Sequence, residues 1–271
     1  MAFPENEGPD KRHMPLTSER IDALTAAVGR ARILILGDIM LDEYLVGEVE
    51  RISPEAPVPV VEVKSTRLQL GGAANVAANI RALGDEPLLM GTVGDDDGAT
   101  RLKKLLSENG ISSDHLIVDP SRQTTTKTRI IAHGQQVVRA DREDRSDLAP
   151  ELQEQVIAAL RELAPNLDAV IISDYGKGII TRTLLDRVVE LCNERDIFVA
   201  VDPKETNFHN YHHVSLITPN HHEAGFAYGR KIRDEEDLLV VGNGLLDKLQ
   251  ARAILITRGA EGMSLFQSGE R

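Results

Sequence analysis

Two carboxylates are the first residues of this sequence that could bind a polar ligand. Asp38 and Asp42 follow a short apolar run at 33–36, which the pattern predicts to be a buried strand. In open α/β sheets, ligands bind beyond the carboxyl ends of strands, where carboxylates can accept hydrogen bonds from sugar hydroxyls. An ordinary solvated turn explains the same two residues equally well.

A glycine pair forms the second candidate. Gly71 and Gly72 open a predicted helix that ends at Gly84, and Asn75 follows in its first turn. Adjacent glycines let the backbone approach a ligand closely, and an asparagine amide offers both donors and an acceptor to hydroxyls. The alternative is tight packing of the helix against a sheet. The sequence contains neither a G-x-G-x-x-G fingerprint nor a P-loop.

Basic residues are concentrated in a predicted hairpin, with strands at 124–131 and 135–140 joined at a His-Gly turn. In an acidic protein such a group favours a phosphate clamp. The alternative is a salt-bridged surface formed with the neighbouring acids Asp141, Glu143 and Asp144. The cations are Lys127, Arg129, Arg139 and Arg142.

Four further polar segments each follow a predicted strand and would meet at one edge of a sheet. In one of them, Asn220 and Glu223 have the spacing of a helix capping box, although the same pair could orient a hydrated Mg²⁺. Singly, each segment is explained by a solvated loop. The segments are SDYGKG at 173–178, DPK at 202–204, TPNHHE at 218–223 and TRGAEG at 257–262.

Composition limits the classes of partner. The 271 residues carry a formal net charge of −12, which disfavours nonspecific binding to nucleic acid or to an anionic membrane. The single cysteine allows no disulfide within the chain, and no apolar stretch is long enough to span a bilayer. We therefore expect a cytoplasmic protein, with residues 1–17 as a disordered tail.

The order of elements positions these candidates. Predicted strands alternate with helices along most of the chain, which favours an α/β fold with a parallel sheet covered on both faces. Two β excursions interrupt this order and could pair into a small sheet above the strand ends. We expect one domain over 18–271, with a lid formed from about 48–64 and 124–142.

The polar segments also carry a resemblance. The chain resembles the ribokinase-like (PfkB) carbohydrate kinases from about residue 30 to its end, and within them the kinases of heptose 7-phosphates. The glycine motif is common to the superfamily, whereas the stretch at 51–60 is more specific for the heptose kinases. The matching segments are GDIMLD at 37–42, RISPEAPVPV at 51–60, GGAAN at 71–75, TTTKTR at 124–129, RADRE at 139–143, SDYGKG at 173–178 and TPNHHE at 218–223.

The resemblance implies a three-layer α/β/α sandwich with a small β-sheet lid. It implies ATP- and Mg²⁺-dependent phosphorylation of the anomeric hydroxyl of D-glycero-β-D-manno-heptose 7-phosphate to the 1,7-bisphosphate, on the route to ADP-heptose and the lipopolysaccharide core. It also implies a homodimer formed through the lid. The implied substrate-binding residues are Asp38, Gly71, Gly72, Asn75, Lys127, Arg139, Arg142, Asp174 and Lys177. The implied nucleotide-binding residues are Lys204, Asn220, Glu223, Thr257, Arg258 and Gly259, with Glu223 holding Mg²⁺ through water.

The sequence departs from the family pattern in one respect. The family has a Gly-Ala-Gly-Asp element whose aspartate is the catalytic base, and the 271 residues contain no such element. We expect that aspartate to lie beyond Arg271 and this chain alone to have little kinase activity. The alternatives are another PfkB-type sugar or nucleoside kinase, or a noncatalytic sugar-phosphate-binding pseudokinase.

Overall fold

The computed structural model describes residues 17–269, which contain twelve strands, seven α-helices and three short 3-10 helices. The strands are β1 Arg32–Gly37, β2 Ile39–Ile52, β3 Pro59–Gly72, β4 Glu86–Val93, β5 Leu116–Val118, β6 Thr126–Ala132, β7 Gln135–Arg142, β8 Ala169–Ser173, β9 Phe198–Asp202, β10 Leu216–Ile217, β11 Ala253–Thr257 and β12 Met263–Gln267. The α-helices are α1 Ser18–Ala27, α2 Ala73–Ala82, α3 Asp97–Glu108, α4 Pro150–Leu163, α5 Arg182–Glu194, α6 His221–Tyr228 and α7 Glu235–Leu249. The 3-10 helices are Ala164–Asn166, Glu205–Asn210 and Gly259–Glu261.

Eight of these strands form a large sheet in the order β12-β11-β10-β9-β8-β1-β4-β5. Neighbouring strands are parallel except for the hairpin of β11 and β12. β1 lies inside the sheet, between β4 and β8, which explains its uninterrupted apolar sequence. The predicted α/β class is confirmed.

Helices cover both faces of the large sheet. Alternate residues of β1 point to opposite faces, so that Ile35 packs with α2 and α3 while Leu34 and Leu36 pack with α4 and α5. Burial of each such side chain contributes about 1.5–3 kcal/mol, which makes the sheet a rigid base for the loops at its edge. The three-layer arrangement predicted from the resemblance is therefore present.

The remaining four strands form a separate small sheet in the order β3-β2-β6-β7. β2 joins the two β excursions, since it pairs antiparallel with β3 and parallel with β6. The sequence did not predict β2 as a strand. Only Asp38 separates β1 from β2, so the chain passes from one sheet to the other at this residue, and Asp42 lies within β2 instead of in a turn.

Two boundaries also differ from the predictions. The glycine pair was predicted to open a helix, but it forms the end of β3, and α2 begins at Ala73. α1 was not predicted and has no buried residue. The predicted tail lies outside the described residues except for Thr17, whose side chain caps α1. Within 17–269, the helices are all too short or too polar to cross a membrane.

Candidate functional site at the junction of the two sheets

Asp38 lies at the corner between the large and small sheets, and it is only 1 % exposed. Its Oδ2 accepts hydrogen bonds from the backbone N–H of Tyr175 at 2.7 Å and of Lys177 at 3.1 Å. Its Oδ1 is buried and has no hydrogen-bond partner among residues 17–269. A buried oxygen in this condition has unused capacity to accept a hydrogen bond from a ligand.

Burial raises the pKa of Asp38 to about 6, although the N–H groups of Tyr175 and Lys177 partly oppose that change. Repulsion from Asp174 acts in the same direction as burial. A cavity of about 10 Å³ borders Asp38, with Thr92 and Arg122 also in its wall. That volume fits about one water molecule or one hydroxyl group. The corner can therefore receive a single small polar group beside an aspartate whose pKa is raised to about 6 by burial.

The glycine pair is required by the close approach of β3 to this corner. Gly72 has a φ of 56°, and a Cβ there would lie 2.2 Å from the carbonyl oxygen of Asp38. A Cβ on Gly71 would lie 2.6 Å from the Asp42 carboxylate. No side chain caps the N-terminus of α2 at Gly72, and Asn75 is exposed in the first turn. The glycines thus allow the tight packing that was the alternative interpretation. They also bring the N-terminus of α2, which has no side-chain cap, beside Asp38.

The cations of the small sheet are clustered and paired with acids. Arg139 donates from Nε and Nη2 to both oxygens of Asp141, at 2.8 and 2.9 Å. Lys127 Nζ lies 3.4 Å from the same carboxylate. Arg129 Nη1 donates to Asp42 at 2.6 Å. The salt-bridged interpretation is therefore realised for these three cations, and the phosphate clamp remains a prediction.

Glu143 connects this cluster to the loop that holds Asp38. Its Oε2 lies 2.5 Å from Lys177 Nζ and 3.8 Å from Lys127 Nζ. Because the backbone N–H of Lys177 binds Asp38, a single chain of contacts joins the buried carboxylate to the small sheet. Arg142 is exposed and forms no ion pair with any residue between 17 and 269.

Asp174 is directed into the protein interior. Its Oδ2 accepts hydrogen bonds from the Tyr211 hydroxyl and from Asn207 Nδ2, both at 2.7 Å, and its Oδ1 accepts the N–H of Gly176 at 2.7 Å. These contacts fix the loop that presents the N–H groups of Tyr175 and Lys177. Its predicted contact with substrate remains a prediction.

Most of the predicted nucleotide residues lie after β10 and at the end of β11, and Lys204 follows β9. Asn220 and Glu223 form a complete capping box at the start of α6, so the structural interpretation of their spacing is realised. Thr257 forms an isolated parallel bridge with Asn220. The capping bond to the Asn220 N–H engages only Oε2 of Glu223, which leaves Oε1 for other ligands.

Arg258 and Lys204 differ in their availability. The Arg258 guanidinium lies 2.8 Å from Glu261 and 3.5 Å from Glu235. Lys204 is exposed and forms no ion pair within 17–269. Gly259 begins the 3-10 helix after Arg258 with a φ of 61°. Both cations follow strands of the large sheet, and of the two only Arg258 is ion-paired within 17–269.

Carboxylates near Glu223 suit a divalent cation. No three metal-binding side chains come together in the described part of the chain, so protein groups alone do not form a closed metal site. Burial raises the pKa of Asp202, and repulsion from Glu223 and Asp174 raises it further. Such mutual repulsion is relieved when a cation binds between the groups. The binding of Mg²⁺ by Glu223 remains a prediction, and Asp202 is a second carboxylate on the same edge that could share it.

Sequence reasoning missed a buried ion pair behind the corner. Arg122 and Asp119 have side chains only 7 % and 6 % exposed, and Arg122 Nε donates to Asp119 at 2.9 Å. Arg122 also donates to the carbonyls of Ser146 and Lys177, at 3.1 and 3.4 Å. It thus ties three loops together behind Asp38. The only sequence signal was the i, i+3 spacing, which is too common to identify it.

The order of strands decides how the two groups of candidates are arranged. Polar residues lie at the carboxyl ends of five adjacent strands, β1, β8, β9, β10 and β11. With about 4.8 Å between neighbouring strands, the first and the fourth are roughly 15 Å apart. The residues at these ends are Asp38, Asp174, Asp202, Asn220 and Thr257. One continuous edge thus carries the sugar candidates at one end and the nucleotide candidates at the other.

Solved structures with this architecture define the class of the fold. Phosphofructokinase-2 from Escherichia coli, in complex with substrates and products, matches with a TM-score of 0.70 and 16 % identity, covering 88 % of this chain and 76 % of that one. Arabidopsis thaliana ribokinase complexed with ribose and ATP matches with a TM-score of 0.65 and 17 % identity, covering 89 % and 76 %. The chain has the ribokinase-like fold.

Sequence relatives define the family. The family model described as "pfkB family carbohydrate kinase" matches residues 30–271. The "Bifunctional protein HldE" of Geobacter sulfurreducens is 42 % identical over 251 residues, which cover 93 % of this chain and 51 % of that protein. The protein belongs to the pfkB family of carbohydrate kinases, and the chain spans about half the length of the curated relatives it matches.

Proposed function

We propose that this protein transfers the γ-phosphate of ATP to the anomeric hydroxyl of D-glycero-β-D-manno-heptose 7-phosphate and produces the 1,7-bisphosphate. Membership of a carbohydrate kinase family supports phosphoryl transfer to a sugar. The choice of a phosphorylated sugar rests on one observation. The buried Asp38 carboxylate and the cation cluster are joined through Lys177 and Glu143, so one ligand could contact both with its hydroxyls and its phosphate.

Each group has a chemical task in this proposal. Asp38 and the exposed Asn75 accept and donate hydrogen bonds to sugar hydroxyls, which orients the ring at the sheet edge. Lys127 and Arg139 hold the distal phosphate, with Arg142 and Lys177 adding positive charge. Lys204 and the backbone around Gly259 are assigned to the nucleotide phosphates. Mg²⁺–ATP supplies the phosphoryl group and offsets the charge that develops during transfer.

Glu223 and Asp202 are the carboxylates we assign to the hydrated Mg²⁺. The support is the repulsion that raises the pKa of Asp202 and the free oxygen of Glu223. The base that deprotonates the anomeric hydroxyl is assigned to the family's Gly-Ala-Gly-Asp element, which the 271 residues lack. We therefore propose that residues 1–271 bind the ligands but turn over slowly when tested alone.

Ligand-induced thermal stabilisation of residues 1–271 tests the substrate. We expect heptose 7-phosphate to raise the melting temperature, because a ligand that binds only the folded state stabilises it by mass action. Unphosphorylated heptose, ribose and adenosine should have much smaller effects. Stabilisation by ribose or adenosine instead of the heptose phosphate would favour another PfkB-type sugar or nucleoside kinase.

Two variants make this test specific. Arg139→Gln should abolish the advantage of the phosphorylated sugar, whereas Arg182→Gln, which removes a 78 % exposed arginine on α5, should not. An ADP-release assay completes the test. Rapid turnover by residues 1–271 would contradict the assignment of the base, and ligand binding without turnover in a chain that includes Gly-Ala-Gly-Asp would favour the pseudokinase.

We also propose that the small sheet forms a homodimer interface. Its edge strand β7 is exposed along its whole length, with Val137 and Val138 exposed by 42 % and 48 %. An open edge strand that exposes apolar side chains such as these two valines can pair with another chain. Light scattering after size exclusion should show a dimer that Val138→Lys converts to a monomer. The control, Val118→Lys, changes a 42 % exposed valine on β5 and should remain dimeric.

A further inference from the structure

The Asp141 carboxylate accepts hydrogen bonds from the N–H groups of the cation cluster that are also the expected donors to a phosphate. Arg139 presents two parallel N–H groups to the two oxygens of Asp141, at 2.8 and 2.9 Å. This fork geometry is the one in which arginine binds a phosphate group. An anion that binds Arg139 through this edge of Nε and Nη2 must first displace Asp141.

Lys127 shares the same carboxylate. It is opposite Asp141 in the register of β6 and β7, and its Nζ lies 3.4 Å from Oδ2. Since residues two apart on a strand share a face, Arg139 and Asp141 also lie on one face of β7. One carboxylate therefore neutralises two cations that converge on it, and these hydrogen bonds and charges hold the pKa of Asp141 below its ordinary value.

We propose that Asp141 is an intramolecular competitor for the phosphate of the ligand and thereby determines specificity for dianions. The inference rests on the proposed function in taking a sugar phosphate as the ligand. A phosphate monoester carries a charge of about −1.5 to −2 at neutral pH, whereas the Asp141 carboxylate carries a single charge. A dianion can therefore displace Asp141 from both cations, and a neutral sugar or a monoanion gains too little to do so.

An ion pair elsewhere on the small sheet lacks this arrangement and provides the matched control. Glu62 and Lys64 have the same spacing of two residues on the edge strand β3, and their charged atoms lie 2.6 Å apart. Glu62 accepts from one lysine only, and both side chains are at least half exposed. Removing the charge of Glu62 alters the net charge by the same amount without freeing a converging pair of cations.

Calorimetric titration of residues 1–271 with inorganic phosphate tests the competition. We expect Asp141→Asn to lower the Kd for phosphate by about three- to ten-fold. In the variant, phosphate no longer has to break the partly exposed ion pairs of Asp141, which contribute free energy of that order. Glu62→Gln should leave the Kd unchanged. In the double variant Asp141→Asn with Arg139→Gln, the gain relative to Arg139→Gln alone should be smaller, because only Lys127 remains to be freed.

Several results would overturn the inference. An unchanged or higher Kd in Asp141→Asn would show that Asp141 does not compete. An equal gain in Glu62→Gln, or a gain of undiminished size after loss of Arg139, would reduce the effect to net charge. Absence of phosphate binding by all variants would refute the anion site itself. If Asp141→Asn binds phosphate more tightly while the sugar panel shows no selectivity, the competition stands and the proposed substrate is wrong.

Discussion

Replacement of Asp38 by asparagine tests the electrostatics of the corner between the two sheets. Burial raises the pKa of this carboxyl from 3.8 to about 6. The folded protein therefore keeps a proton on Asp38 up to about pH 6, whereas the unfolded chain loses it near pH 4. The contribution of Asp38 to stability is then fully present below pH 4 and is lost as the pH rises through 6.

The magnitude follows from that difference in pKa. At 1.36 kcal/mol for each tenfold change in proton affinity, ionised Asp38 lowers the free energy of unfolding by roughly 3 kcal/mol at neutral pH. Asparagine carries no charge, and its carbonyl oxygen can still accept the N–H groups of Tyr175 and Lys177. Its amide would replace an oxygen that has no partner in the described chain, at a cost of about 1–2 kcal/mol. We expect a net stabilisation of about 1–2 kcal/mol at pH 7.5.

Urea unfolding at pH 7.5 and at pH 4 measures this effect. Asp38→Asn should be more stable than the wild type at pH 7.5, and the advantage should vanish or reverse at pH 4. The same variant should lose at least tenfold in affinity for the sugar phosphate, since a charge-assisted hydrogen bond contributes about 1.5–3 kcal/mol. Asp114→Asn, an exposed loop position, is the control. A variant that is destabilised at pH 7.5, or equally affected at both pH values, would refute the reasoning.

Three further substitutions address the support of the site. Arg122→Met should lower the free energy of unfolding in urea by about 3–5 kcal/mol, because Asp119 is left as an unpaired buried charge. Tyr211→Phe should cost about 1–3 kcal/mol in the same assay, since the Asp174 carboxylate loses a buried donor. Gly72→Ala should reduce both the melting temperature and sugar-phosphate binding, because the added Cβ would lie 2.2 Å from a backbone oxygen at a positive φ.

One conservative change at Arg122 and one matched glycine elsewhere provide the contrasts. Arg122→Lys keeps the charge next to Asp119 but loses the bonds to the carbonyls of Ser146 and Lys177, so its unfolding free energy should fall between those of the wild type and Arg122→Met. Gly134→Ala has a positive φ but meets nothing within 4 Å. It should cost less stability than Gly72→Ala and leave binding unchanged. Equal losses at the two glycines would show that backbone conformation, rather than the approach to Asp38, explains the effect.

Much of the large sheet could be predicted from local pattern. Short apolar runs alternating with amphipathic helices identify buried parallel strands, because only strands covered on both faces are apolar throughout. β2 could not be identified in this way. It continues from β1 after one residue, and nothing in its local sequence states that the chain changes sheet at Asp38. The pairing of β2 with β6, some 80 residues away, is a property of the tertiary structure.

The sequence alone determined which residue types could act. It identified the glycine pair, the strand-end polar segments and the cations of the hairpin, since each has local spacing and chemistry that a reader can recognise. The tertiary structure alone decided the burial and the partners of these residues. Asp38 is buried with one oxygen that has no partner in the described chain, Asp174 accepts a hydrogen bond from the buried Tyr211, and Arg139 is hydrogen-bonded to Asp141. The physical reason is that burial and pairing depend on neighbours distant in the chain, and these neighbours set the pKa of a carboxyl and the availability of a cation.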